Sequence, residues 1–497
     1  MYGAQVSGSS SVVPTRLLRD HPTLPVVVLC FGGLTASLTQ TLLIPIQSEL
    51  PQLLHTSGAN AAWVITITLL AGGVAMPTAG RLADLYGKQR VIVSSALLLL
   101  VASVVCALSD SLAPMLVGRA MQGLAMGFIP VGISLMREIT PPHLTGTAIA
   151  AMSATLGVGG AIGLPLSAFV AQSWNWHALF WLAAALAAVV LVASWFLVPH
   201  VSDAAPGRFD AAGAVGLAIG LVAFLVGVSK ASDWGWTDAR TLGAMAGGLV
   251  VLVLWGRYQV GTTEPLVDLR TTARPAVLMT NLAAVAIGFG MMAQAIVGPQ
   301  LLQIPGLTGY GLGQSILAAG LWMAPSGLMM LVFAPVSARL IRGVGAKVTL
   351  MIGATVLGLG YLVGFFLMTA PWQVMLACIV ASAGVGIGYA AMPTLILDAV
   401  PAREAASAVG VNALMRSVGT TLAAAVMATV LTSSTKAFGG IPFPTEDAFR
   451  WCFALGAAAA FVGVGLAAFV PGRRAAEVSE AAPRDLPAAS APGPARR

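Results

Sequence analysis

Fourteen times along the chain an apolar run long enough to cross a bilayer gives way to a short segment that holds charge, and that alternation leaves few folds open. A helix needs about 20 apolar residues to span roughly 30 Å of hydrocarbon, and in lipid only helices and closed barrels satisfy every backbone polar group. Runs of this length without period-two alternation predict helices rather than strands. Taking charge, Pro and Gly as boundaries places them at 25–46, 60–80, 91–109, 112–136, 145–171, 177–198, 211–229, 241–258, 277–303, 313–335, 347–369, 373–397, 405–432 and 450–470. With 58% hydrophobic and only 9% charged residues, a water-soluble core could not hide the apolar surface. The expected fold class is therefore an all-α membrane protein.

An even number of spans puts both termini on one side, and the basic residues decide which side that is. Arg16, Arg19, Arg81, Lys88, Arg90, Arg137, Arg208, Arg257, Arg270, Arg274, Arg339, Arg342, Lys347, Arg403 and five tail arginines share the side of the termini, 19 in all. The opposite side has Lys230, Arg240, Lys436 and Arg450, while Arg119 and Arg416 fall within helices. Lys and Arg concentrate on cytoplasmic loops, so both termini are predicted to be cytoplasmic in the cell (inner) membrane. The apolar run after Arg19 is too long for a secretory leader and is expected to stay as the first span. Residues 1–24 then form a cytoplasmic segment, 25–198 a six-helix bundle, 199–276 two accessory helices with their connections, and 277–470 a second six-helix bundle. The Ala-, Pro- and Arg-rich tail, 471–497, has too little apolar surface to fold and is expected to be disordered. Trp174, Trp176, Trp234 and Trp236 fall at outer loops, as headgroup-layer anchors do.

Several function classes drop out. The net charge of +7 comes without a Lys/Arg cluster interleaved with aromatics, so no nucleic-acid partner is expected. Cys30, Cys106, Cys378 and Cys452 lie in or beside apolar runs without metal-ligand spacing and read as packing residues; no metal and no cofactor is expected. There is no phosphate-binding loop of the G-x-x-x-x-G-K-[ST] type, no His/Asp/Glu or Ser/His cluster at one depth, and no pattern of pore-lining rings. The chain is not expected to be an enzyme.

The connection after the second predicted helix reads GRLADLYGKQR, Gly80 to Arg90. Gly80 and Gly87 permit close helix approach and a tight turn, and Asp84 can face a helix N-terminus, whose partial positive charge favours an anion. Together with Arg81, Lys88 and Arg90 this segment resembles the signature between helices two and three of the major facilitator superfamily, with Leu85 standing where that family usually has Arg. Arg119-x-x-Gln122-Gly123 is similar to the R-x-x-Q-G motif of the fourth helix, and Gly157, Gly159, Gly160, Gly163 and Pro165 to the Gly/Pro-rich antiporter motif of the fifth. ARLIRGVGAK, Ala338 to Lys347, looks like a degenerate second copy of the loop motif with Arg342 in the carboxylate's place, which points to internal duplication. The resemblance is to the fourteen-helix drug:proton antiporter branch. It implies the major facilitator fold, two six-helix bundles plus two accessory helices, and contact of the loop motif with the helix starting near Ala405 as part of a conformational switch.

Proton antiport needs a group that changes protonation between two states, normally a membrane carboxylate. All 18 acidic residues lie in predicted loops, termini or last helical turns, and Thr39, Gln40 and Thr41 occupy the stretch of the first helix where the family's antiporters carry Asp. Glu49 and Glu138, with Asp84 and Asp398, come nearest to membrane depth, and the first two are the candidate proton carriers. Gln40, Arg119, Gln122, Asn281, Gln294, Asn412 and Arg416 are the candidate polar groups of a central cavity, with Met291, Met292, Trp322 and Met323 as an adaptable apolar wall. What the resemblance implies is a monomeric secondary transporter exporting small amphipathic, drug- or antibiotic-like molecules by alternating access with proton antiport. The residues leave open a transporter or facilitator of one specific metabolite or lipid-like compound without carboxylate-based coupling.

Overall fold

The computed structural model describes residues 23–43, 46, 49–201, 207–438 and 441–471. The expectations for residues 1–22 and for the tail beyond Pro471 lie outside them.

Fourteen long helices carry the fold: α1 (Leu24–Thr41), α2 (Gly58–Tyr86), α3 (Lys88–Ala107), α4 (Leu112–Ile139), α5 (Pro142–Ser173), α6 (His177–Leu197), α7 (Ala211–Trp234), α8 (Ala239–Gly261), α9 (Pro275–Gln303), α10 (Ile316–Val344), α11 (Ala346–Phe366), α12 (Pro371–Ala399), α13 (Ala405–Ser433) and α14 (Glu446–Ala468). Thirteen of them, all but the 32-residue α5, are long and apolar enough to cross a membrane when only the described residues are weighed. The outer faces are apolar too: Phe196 is 70% and Phe366 74% exposed, which water would not tolerate on this scale and lipid does. A short antiparallel hairpin, β1 (Thr435–Phe438) with β2 (Ile441–Pro444), links α13 to α14.

Hydropathy marks where charge begins, not where a helix ends, and the bounds shift accordingly. Gly80 to Tyr86 form the last two turns of α2 rather than a loop, and the break comes only at Gly87, whose φ of +99° suits glycine. Lys230, expected on a connection, lies inside α7. Its ammonium reaches Asp233 at 2.9 Å and sits 5.8 Å from the centre of the Trp63 ring, so its aliphatic stem can stay in the helix. Trp236, expected as an interface anchor, donates its indole N–H to Thr429 Oγ1 at 2.7 Å, tying the α7–α8 connection to α13.

Packing follows a repeated scheme. In α1–α6 the pairs are α1 with α5 and α6, α2 with α4, and α3 with α4 and α6. In α9–α14 the corresponding pairs are α9 with α13 and α14, α10 with α12, and α11 with α12 and α14. The local chemistry repeats as well. α2 and α10 are both 29 residues long, begin under a serine cap (Ser57 accepting from the Asn60 amide, Ser315 from the Ala318 amide) and end at a positive-φ glycine, Gly87 or Gly345. The two sets meet through α2 on α13 and α5 on α10, while α7 lies along the α2–α13 seam, where Leu70, Leu221, Leu225 and Leu414 form one buried cluster.

Close approach in the second set depends on missing side chains: a Cβ on Gly353 of α11 would overlap the Gly388 amide of α12. Gly353→Leu should lower the detergent-solubilised melting temperature by several degrees, the effect of roughly 1–3 kcal/mol of overpacking. Gly247→Leu on α8, where a Cβ meets nothing within 4 Å, should leave it unchanged. Equal effects of the two substitutions would contradict this packing.

Candidate functional site

The first functional feature is a contact between the two helix sets. The first amides of any helix lack intrahelical partners, and at α13 the preceding residue, Glu404, makes no capping bond with its side chain. The cap comes instead from α2. Asp84, 2% exposed, accepts from the Ala406 amide at 3.1 Å through Oδ1 and from the Ser407 amide at 2.8 Å through Oδ2. A carboxylate here gains from both charge-assisted hydrogen bonds and the helix dipole. Gly80, one turn earlier on α2, makes the approach feasible, since a Cβ would overlap the Ala406 carbonyl; Gly410 plays the same part against Met76.

Around this contact the other motif residues divide. Lys88, 5% exposed at the start of α3, pairs with Glu138 in the last turn of α4, whereas Arg90 is exposed. Arg81 and Leu85 line a cavity of about 410 Å³ together with Pro265, Leu266 and Ser407. Leu85 is buried beneath the α8–α9 connection, which explains an apolar side chain at that position. The face holding these groups carries most of the Lys and Arg and is the basic face of the protein. The described hydrogen bonds that cross between the two helix sets lie here: Asp84 to α13, Arg137 to the Leu397 carbonyl, and Arg342 Nη1 to the His143 carbonyl at 3.3 Å and to Thr147 Oγ1 at 3.5 Å. Arg342 is the counterpart of Asp84 in the second set, with its polarity reversed and a longer bond.

Inside the first set, Arg119 is 1% exposed on α4. Its Nε donates to the Val64 carbonyl at 3.1 Å, and Nη1 to the Thr39 carbonyl at 2.9 Å and to Gln122 Oε1 at 2.8 Å. Gln122 passes the bond to Ser103 Oγ at 3.0 Å. Among the described residues no carboxylate pairs with this guanidinium; it ties α1, α2 and α4 together through backbone carbonyls. Gln40 is half-buried and donates to Met126 Sδ at 2.9 Å.

In the second set Asn412 Nδ2 donates to Asn281 Oδ1 at 3.0 Å and Arg416 Nη1 to Asn412 Oδ1 at 2.7 Å, so three of the expected cavity residues form one relay. Gln294 stands apart and donates to Ser382 Oγ at 2.9 Å. Gly159 and Gly163 pack against Ser37 and Thr41 of α1, and Gly157 against Met330 of α10; the Pro165 side chain lies outside the described part of the structure. Met291, Trp322 and Met323 pack on the core of the second set.

The family model of the Major Facilitator Superfamily matches residues 29–424, with a second, shifted match over 280–495. The chain belongs to the Major Facilitator Superfamily. A tetracenomycin C resistance and export protein of Streptomyces glaucescens is 28% identical over 484 residues, covering 94% of this chain and 87% of its own length. The lincomycin resistance protein LmrB of Bacillus subtilis is 25% identical over 333 residues, or 66% of this chain and 68% of its own. Among solved structures the human organic anion transporter MFSD10 superposes with a TM-score of 0.63 at 15% identity, covering 90% of this chain and 99% of its own. The proton:xylose symporter XylE reaches the same TM-score at 13% identity, over 91% and 96% of the two chains. At such identities the two structures speak to the fold alone.

Within this superfamily frame, Glu49 is exposed ahead of the single helical turn Leu50–Leu53, at the end of the molecule away from the basic face. Two contributors escaped the sequence reading. Arg137 bridges to α12, and the Tyr389 ring lies 4.4 Å beneath the Arg416 guanidinium. Neither leaves a local signal, because a partner on a distant helix is not encoded in spacing.

Arg119→Ala would take a donor from three acceptors in a dry interior, of which the Val64 carbonyl keeps the Thr68 hydroxyl, and Arg119→Lys would keep the charge but not the fork. We expect Arg119→Ala to lose about 2–4 kcal/mol of stability, read as a melting shift, with Arg119→Lys in between. An unshifted Arg119→Ala would contradict the anchoring role.

Proposed function

We propose that this chain is a secondary active exporter of small amphipathic, drug- or antibiotic-like molecules, working as a monomer in the cell membrane with both termini in the cytoplasm. Its six-helix halves, 25–198 and 277–470, open alternately to the two sides around a site between them, and the two helices between the halves are accessory. The observation that carries this reading is the Asp84 contact with α13: it joins the halves at one face, through bonds that water can replace when they part. The relatives named for resistance and export supply the substrate class.

Proton entry is the proposed drive. Glu138 is the better placed carrier, because its protonation would release Lys88, a buried ammonium on the same basic face as the Asp84 contact. Glu49 remains the candidate on the opposite side. One observation favours a second reading, transport of a specific metabolite or lipid-like compound without carboxylate coupling: the described acidic residues sit in connections or in the end turns of the long helices, and both membrane-embedded guanidiniums bond to carbonyl and amide oxygens.

Accumulation of a panel of cationic, neutral and anionic dyes in efflux-deficient bacteria expressing the protein separates the two. Lower accumulation that is abolished by a protonophore, and weakened several-fold by Glu138→Gln, is the expected result. Unchanged accumulation of every dye, with the protein confirmed in the membrane, would favour the specific transporter.

A further inference from the structure

The two guanidiniums within the membrane differ in one respect. Arg119 spends its donors on three acceptors of its own half, whereas Arg416, 5% exposed, has one described acceptor, Asn412 Oδ1, and its Nε is buried with no partner. The relay it begins can run in only one direction. A guanidinium has donors and no acceptor, so Asn412 must turn its oxygen to Arg416 and its nitrogen to Asn281, whose oxygen is thereby used in turn. What is left over at the far end is again a donor: Asn281 Nδ2 is buried and unpartnered, in a residue only 2% exposed. The cluster therefore carries a positive charge, two idle donors and no free amide oxygen facing inward, while the Tyr389 ring 4.4 Å from the guanidinium shields one face of the charge.

Its place in the fold is also informative. Val409 belongs to the buried cluster that joins α13 to Val131 and Leu135 of α4 in the opposite half. Arg416 stands seven residues further along the same helix, hence on the same face and about 10 Å deeper from the basic face. Arg416 therefore lies beyond the sealed contact on the face of α13 turned to the opposite half, while Asn281, at the other end of the relay, lines the basic-face cavity together with Arg81, Leu85 and Ser407. A buried cation with idle donors costs several kcal/mol unless an acceptor arrives, and no described carboxylate supplies one.

Resting on the export reading above, we propose that Arg416, Asn412 and Asn281 bind the anionic group of the exported amphipath, a carboxylate, sulfonate or phenolate carried on an apolar body. The guanidinium Nε and the Asn281 amide are the donors that receive it, and the preferred cargo is an amphipathic acid rather than an amphipathic cation.

The test uses the purified full chain in nanodiscs of phosphatidylcholine alone, so that no anionic headgroup competes, with protein-free discs as baseline. The probes are 1-anilinonaphthalene-8-sulfonate and N-phenyl-1-naphthylamine, which share an aromatic body and differ in the charge. The readout is the ratio of their dissociation constants. Arg416→Gln should shift that ratio against the sulfonate roughly tenfold or more, and Arg416→Lys by less. Asn281→Asp, which keeps the oxygen that accepts from Asn412 Nδ2 and puts a carboxylate oxygen in place of the idle donor, should shift it the same way by at least about threefold and serves if Arg416→Gln does not fold. An unchanged ratio in Arg416→Gln, or in Asn281→Asp where the former does not fold, would overturn the assignment. Failure of the export reading looks different: cells would retain every dye while the purified protein still distinguished the two probes through Arg416.

Discussion

The structure depends on a helix that cannot finish its own N-terminus. α13 starts after the 3-10 turn Ala402–Glu404 with no side-chain cap from Glu404, and the Ala406 and Ser407 amides are completed by Asp84 from the other half. Each charge-assisted bond of this kind contributes on the order of 1.5–3 kcal/mol where water is excluded. In the proposed cycle, parting the halves would return the carboxylate and both amides to water, an exchange that this net figure already includes. The two bonds together are of the size that separates the states of a two-state equilibrium, a few kcal/mol. The same two bonds complete the N-terminus of α13 and join the two helix sets at the basic face.

The other seam is built differently. Where α10 meets α5, the partner of Asp84 in the repeat is Arg342, a cation near the N-terminal turn of a helix, with a 3.3 Å bond to the His143 carbonyl. The dipole gives it no help there. Cohesion at this seam comes from small side chains, Ala150, Ala154, Ala334, Ala338 and Ala390, in one buried cluster. The two similar seams are both closely packed, and the α2–α13 seam adds charge on amides. The α7–α8 hairpin spans the first of them: α7 shares a leucine cluster with α2 and α13, and the connection after it is tied to α13 through Trp236.

Much of this was legible in the sequence, for reasons that differ residue by residue. Span count and the basic asymmetry follow from the cost of charge in hydrocarbon, and Asp84 could be assigned because a glycine-flanked carboxylate at a helix end has few other uses. Arg119 with Gln122 and Asn412 with Arg416 could be paired because spacings of three and four put side chains on one face. The partners of Arg119 could not be read, since the Thr39 and Val64 carbonyls look like any other backbone. Tyr389 was hidden for a related reason, as an aromatic on a separate helix becomes a cation's neighbour only through packing. Lys230 misled because hydropathy counts its charge and ignores its stem, Asp233 and the Trp63 ring. Leu85 seemed a departure from the motif until the α8–α9 connection was seen to cover it.

The central claim is that Asp84 holds the two halves together at the basic face and that this face and the opposite one open in turn. Spin labels in a background with all four cysteines replaced test it most directly, one pair at Tyr86 and Arg403 on the basic face and another at Asn60 and Ser434 on the opposite face, all exposed positions. Electron–electron distance measurements should give a short basic-face distance in the otherwise native protein. On adding Asp84→Asn that distance should lengthen while the opposite-face distance shortens. Distances that stay unchanged, or that move in the same direction at both faces, would contradict the account.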